Sequence, residues 1–114
     1  MHPTDEDYVM SWTTVCKTDQ VQEDFPYSAK LDGKEVGVYV LDGEYYALED
    51  VCPHAYALLS QGFVEDGQVE CPLHEATFDI RTGKCLREPA DRDLHVYPVR
   101  IIDDQIQLQV SEEH

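Results

Sequence analysis

Short β-branched and aromatic runs, cut by turn pairs, fill most of this 114-residue chain. The turn signals are Asp32-Gly33, Asp42-Gly43, Asp66-Gly67, Thr82-Gly83 and Asp103-Asp104. Strand-like runs of this length between such pairs predict an all-β chain. Glu35 to Leu41, the Asp42-Gly43 turn and Glu44 to Leu48 read as one hairpin. Leu94, Val96 and Val99 to Ile102, a turn, then Ile106, Leu108 and Val110 read as a second. In Gln105-Ile106-Gln107-Leu108-Gln109-Val110 polar and apolar residues alternate strictly, which predicts one buried and one wet face. Met10 to Cys16 reads as a first strand carrying Trp12. Gln20 to Tyr27 reads as a turn region, because Asp24-Phe25-Pro26 interrupts any strand there. Val69 to Cys71 and Thr77 to Ile80 read as two short strands, and Arg81-Thr82-Gly83-Lys84 turns the chain back.

Length and composition narrow the class. No repeat, linker or low-complexity stretch divides the chain, so the expectation is a single domain over 1–114. No apolar run approaches the roughly 18 residues of a membrane span, and Met1 to Asp7 is polar and acidic, unlike a secretory leader. The expected location is the cytoplasm. There Cys16 and Cys85 are expected as free thiols, serving as small buried hydrophobes. Twenty-four acidic residues against eight basic ones give a net charge of −16. That excludes nucleic acid and anionic membrane as partners, and it suits weak, charge-steered protein complexes.

The remaining two cysteines carry the chemistry. Cys52-Pro53-His54 and Cys71-Pro72-Leu73-His74 are separated by residues 55–70. The order Cys, His, Cys, His gives each short loop one soft thiolate and one imidazole. Zinc modules more often group the cysteines in one place and the histidines in another. The interleaved order suits a two-iron centre in which each loop hands its thiolate to one iron and its imidazole to the other. A structural zinc site is the alternative for the same four residues. Pro53 and Pro72 fix φ and stiffen both loops under either reading. His95 is expected to face outward from a strand-like run, and His2 and His114 lie at the chain ends, so no metal role is assigned to them.

From about Val36 to Val110, and most specifically from Cys52 to Cys85, the chain resembles Rieske-type ferredoxins. The resemblance implies an antiparallel β-sandwich base with a cluster-binding subdomain, about residues 51–87, inserted into it. It implies one 2Fe-2S cluster, with Cys52 and Cys71 on the inner iron and His54 and His74 on the outer one. The respiratory branch of the family has a disulfide bracing its two loops; Ala57 and Leu73 stand at those positions here. That branch also has a Ser and a Tyr donating hydrogen bonds to the cluster side, where this chain has Ala76 and Phe78. Without those donors the expected potential lies near the low end of the Rieske range, about −150 mV.

The chain looks instead like the ferredoxin component of aromatic-ring-hydroxylating dioxygenases of the biphenyl, naphthalene and carbazole type. The resemblance implies a monomeric one-electron carrier, not itself an enzyme. Its partners would be an NAD(P)H-dependent reductase and a terminal oxygenase. Ala55, Tyr56, Ala57, Leu58 and Leu59 are candidates for an apolar docking rim, with cover over the cluster and the base an equal reading for Leu58 and Leu59, and Glu65, Asp66, Glu70 and Glu75 are candidates for charge steering. The alternatives are the Rieske-like small subunit of an assimilatory nitrite reductase and a zinc-stapled interaction module.

Overall fold

In a computed structural model the described residues are 12–23, 25–53, 57–73, 76–87 and 92–109. Eleven strands follow one another: β1 (Thr13–Lys17), β2 (Tyr27–Leu31), β3 (Lys34–Leu41), β4 (Glu44–Glu49), β5 (Phe63–Glu65), β6 (Gln68–Glu70), β7 (Thr77–Asp79), β8 (Cys85–Arg87), β9 (Val96–Tyr97), β10 (Val99–Ile102) and β11 (Gln105–Leu108). They form three antiparallel sheets, ordered β1-β11-β10, β2-β3-β4-β9 and β5-β6-β7-β8. Two single 3₁₀ turns, Thr18–Gln20 and Leu59–Gln61, complete the regular structure among the described residues.

The second sheet is the shared wall of the molecule. Six consecutive residues of β3, from Val36 to Leu41, are buried, so both of its faces are covered. Val36, Val38 and Val40 point with Ala47 into one core, against Cys16, Ile106 and Leu108 of the first sheet. Tyr39 and Leu41 point with Leu48 into the other, against Val69, Phe78 and Ile80 of the third sheet. The strand period of two therefore divides one apolar run between two cores.

Both expected hairpins form. The β3–β4 pair turns at Asp42-Gly43, whose φ values of 51° and 83° match the type I′ turn suited to strand twist. The β10–β11 pair turns at Asp103-Asp104, where two aspartates occupy the left-handed region at 50° and 65°. Val96 departs from the expected hairpin: β9 pairs with β4 instead, through Ala47–Tyr97 and Leu48–Val96. Pro98, which has no N–H to donate, separates β9 from β10 and passes the chain from one sheet to the next.

Other departures are local. The first strand is Thr13–Lys17, with Met10 outside the described residues. Half-buried Trp12 precedes it, stacked under the Arg100 guanidinium at 4.5 Å. β2, β5 and β8 appear where no strand was expected, since each has only three to five residues. Cys16 is buried, and its thiol is pushed up to about 11 by burial, with Asp19 adding to it. Cys85 is only half-buried, because β8 is the outer strand of the third sheet. His95 faces outward, as expected, beside the Tyr97 ring.

Candidate metal centre

Two loops built on the same plan meet in the second core. The first leaves the end of β4. Its Cys52 N–H donates to the Ala57 carbonyl at 2.9 Å, and Val51 bridges Leu58 just outside. The second joins β6 to β7, where the Cys71 N–H donates to the Ala76 carbonyl at 2.8 Å and Glu70 pairs with Thr77. Each loop thus runs from Cys to Ala in six residues and closes on one bond from the Cys amide. Cys52 and Cys71 are 2% and 1% exposed, neither forms a disulfide, and they share one core with Leu59, Ala76 and Phe78.

His54 and His74 lie outside the described residues, as do Ala55, Tyr56 and Glu75. Among the described residues no group of three His, Cys, Asp or Glu side chains is gathered for a metal ion. Two of the four candidate donors are therefore placed by the structure, and it brings these two into the same core.

Two residues that the sequence reading did not single out hold the loops. Asp50 is fully buried, two positions before Cys52. Its carboxylate accepts the Ser60 N–H and the Ser60 hydroxyl, both at 2.7 Å, and the Ser28 hydroxyl at 3.3 Å. Its carbonyl accepts the Leu59 N–H at 2.7 Å, so Asp50 fastens both ends of the first loop together. Burial raises the Asp50 pKa, against the lowering effect of the Ser60 and Ser28 bonds. The second residue is Gly62. A Cβ there would lie 1.9 Å from the Glu70 carbonyl oxygen and 3.1 Å from Pro72 Cδ. Only a bare backbone lets the turn behind the first loop press against the start of the second. A signal for Asp50 was present, an acid beside the apolar end of β4, but its partner Ser60 lies ten residues on.

Around the site, Glu49 accepts two bonds from Arg92, at 2.6 and 3.0 Å, and the His95 N–H at 2.9 Å. Burial pushes the Glu49 carboxyl up, and the Arg92 and His95 bonds outweigh it, leaving its pKa lowered. On the outer surface only Ala57, Leu58 and Leu59 of the candidate rim are among the described residues, and Leu59 takes the alternative role of cover. Leu59 is fully buried and Ala57 and Leu58 half-buried, whereas Leu73 and Phe63 are 61% and 64% exposed. Glu65, Asp66 and Glu70 line a groove with Phe63, Gln68, Thr77 and Arg87 on the outer face of the third sheet.

The comparisons with known proteins agree on the class. The Rieske [2Fe-2S] domain family matches residues 11–98, more than half of the chain. The anthranilate 1,2-dioxygenase ferredoxin subunit of Burkholderia cepacia is 40% identical over 88% of this chain and 93% of its own length. The ferredoxin of carbazole 1,9a-dioxygenase from Nocardioides aromaticivorans IC177 superposes with a TM-score of 0.81 at 31% identity, covering 86% of this chain and 96% of that one. A protein described as the small subunit of an NADH-dependent nitrite reductase from Mycobacterium tuberculosis superposes with a TM-score of 0.76, also at 31% identity, over 86% and 93% of the two chains.

Proposed function

The chain belongs to the Rieske [2Fe-2S] domain family, and from that premise we propose that Cys52, His54, Cys71 and His74 hold one [2Fe-2S] cluster in a carrier that passes single electrons to a terminal aromatic-ring oxygenase. The observation that carries this reading is the pair of equivalent loops, each opened by a buried cysteine outside any disulfide and closed on its amide. Two soft thiols facing one core fit the donor chemistry of an iron–sulfur group. When bound, such a group supplies a reversible one-electron couple. The protein's own part is to hold the thiolates inside and to fix the loops through Asp50 and Gly62. No substrate chemistry takes place on this chain.

The donor electrons come from an NAD(P)H-dependent reductase, and the carrier works as a cytoplasmic monomer. Leu73 and Phe63 offer the apolar contact at the docking surface, and Glu65, Asp66 and Glu70 steer a basic partner. Dioxygenase ferredoxin subunits are the closer likeness by TM-score, so the nitrite reductase reading is the weaker one.

The test is direct. Freshly purified protein is expected to contain about two iron and two labile sulfide per chain, with a mixed Cys/His EPR signal after reduction. Mixed with a ring-hydroxylating oxygenase and a matched reductase, it should restore NAD(P)H-dependent turnover. The second-order rate should fall as salt rises. Stoichiometric zinc without sulfide would sink the cluster assignment. A loaded protein that serves nitrite reduction and no oxygenase would sink the partner assignment alone.

A further inference from the structure

The respiratory branch's two hydroxyl positions are Ala76 and Phe78 here, yet a hydroxyl does enter the same core from elsewhere. Tyr39 is 2% exposed, and its phenol oxygen finds no hydrogen-bond partner among the described residues. It carries the single hydroxyl among the fully buried members of the core that contains Cys52, Cys71, Ala76 and Phe78. A buried donor left unmade costs about 1–3 kcal/mol, and such groups in native proteins usually mark an ion, a water or a cofactor.

We propose that the Tyr39 hydroxyl donates a hydrogen bond to a sulfur of the iron–sulfur group held between the two loops, raising the protein's reduction potential. The inference rests on the cluster reading above. The geometry of β3 aims the ring. Tyr39 Cε1 lies 3.2 Å from where a Cβ of Gly37 would stand, and Asp50 Oδ1 lies 3.1 Å from the same point. The ring therefore leans back along β3, over the space that glycine leaves open, toward the end of the sheet where the first loop departs. Asp50 is not its partner in the structure: the carboxylate accepts from Ser60 and Ser28, and the phenol oxygen makes no bond to it. Burial and the Asp50 charge both raise the phenol's pKa, so the group remains a donor throughout the working pH range. A donor facing sulfur favours the reduced state, which carries one more negative charge, over the oxidised one.

The test is Tyr39→Phe in the loaded protein. The variant should keep its iron, sulfide and visible spectrum. Its redox equilibrium should move toward the oxidised form by up to about tenfold, or 59 mV for one electron. In resonance Raman spectra the wild type should show Fe–S bands that shift in D₂O, and the variant should lose that part of the shift. Tyr46→Phe is the control, since the Tyr46 hydroxyl already bonds Glu44 near the opposite end of the hairpin. It should change neither readout. An unchanged potential and unchanged isotope shift in Tyr39→Phe would overturn the proposal and leave the hydroxyl to a buried water. Should the variant fail to load, a wild type without D₂O-sensitive Fe–S bands would overturn it equally. A wild type that holds zinc would defeat the cluster reading itself, whereas a loaded wild type beside an unshifted variant defeats only the role of Tyr39.

Discussion

The two cores on either side of β3 are furnished differently. The first-sheet side is mostly hydrocarbon, with Val36, Val38, Val40, Ala47, Ile106 and Leu108 packed around Cys16 and the Tyr97 ring. Its own strands β1, β10 and β11 run for five, four and four residues. The third-sheet side is built on four strands of three residues each, and its core includes the thiols of Cys52 and Cys71 and the small Ala76. Short strands add few ladder bonds, and small or polar groups add little apolar area. The first side can hold itself by burial. The second is arranged so that a bound group, touching both loops, supplies what its side chains lack.

The largest test of that contrast is Cys71→Ser. Removing one thiolate should abolish the cluster, bleach the protein and release β5–β8, while β3, β4 and β11 stay folded. Hydrogen exchange read strand by strand should show fast exchange in the third sheet and near-native protection in the other two. Equal protection in all three sheets of the cluster-free variant would mean that the third layer stands by its own packing. Leu108→Ala tests the opposite side, where a fully buried leucine packs in the first-sheet core. A loss of about 2–5 kcal/mol in urea unfolding is expected, with iron content and visible spectrum unchanged at room temperature. Loss of iron from the folded variant would show that the two cores do not act separately.

The contrast also decides what could be read from the sequence. The β3–β4 and β10–β11 hairpins were legible because long apolar runs flank strong turn pairs. The cysteine–histidine spacing was legible because ligand chemistry is local. Strands such as β5 and β8 were not, because three residues carry no measurable period, even though each pairs with a neighbour close in sequence. Asp50, Gly62 and Tyr39 were missed for a related reason. Each acts across the fold, on Ser60 and Ser28, on Glu70 and Pro72, and beside Gly37, and nothing in their own surroundings announces those contacts. Between rim and cover, Leu59 is cover, because the 3₁₀ turn Leu59–Gln61 rolls that side chain inward.

Gly62→Ala probes the seam between the two loops. The added methyl meets the Glu70 carbonyl, a backbone atom that cannot swing aside, so the 3₁₀ turn or the start of the second loop must move. Overpacking of this kind costs about 1–3 kcal/mol. The expected result is a folded base with faster loss of iron to chelators. Iron retention equal to wild type would show that the loops tolerate separation and that the bound group does not depend on their contact.

The smallest expected effect concerns the clamp that joins the two regions. Glu49, at the end of β4, holds Arg92 and the His95 N–H, fixing the segment that returns from the third sheet to β9. Its folded pKa is lowered from the ordinary 4.5: burial alone would raise it, but the Arg92 and His95 bonds prevail. For a carboxylate with a lowered folded pKa, the stabilisation is fully present above the ordinary value. It is lost as pH falls through the lower folded one. Arg92 is 53% exposed and Glu49 19%, so solvent screens the pair. Its worth should stay below about 1 kcal/mol. Glu49→Gln should therefore lower the urea midpoint slightly at about pH 7, and that difference should shrink and vanish as pH falls below the ordinary 4.5 and through the lowered folded value. A difference that persists unchanged into acid would assign the effect of Glu49 to packing and hydrogen-bond shape, and the clamp would owe nothing to charge.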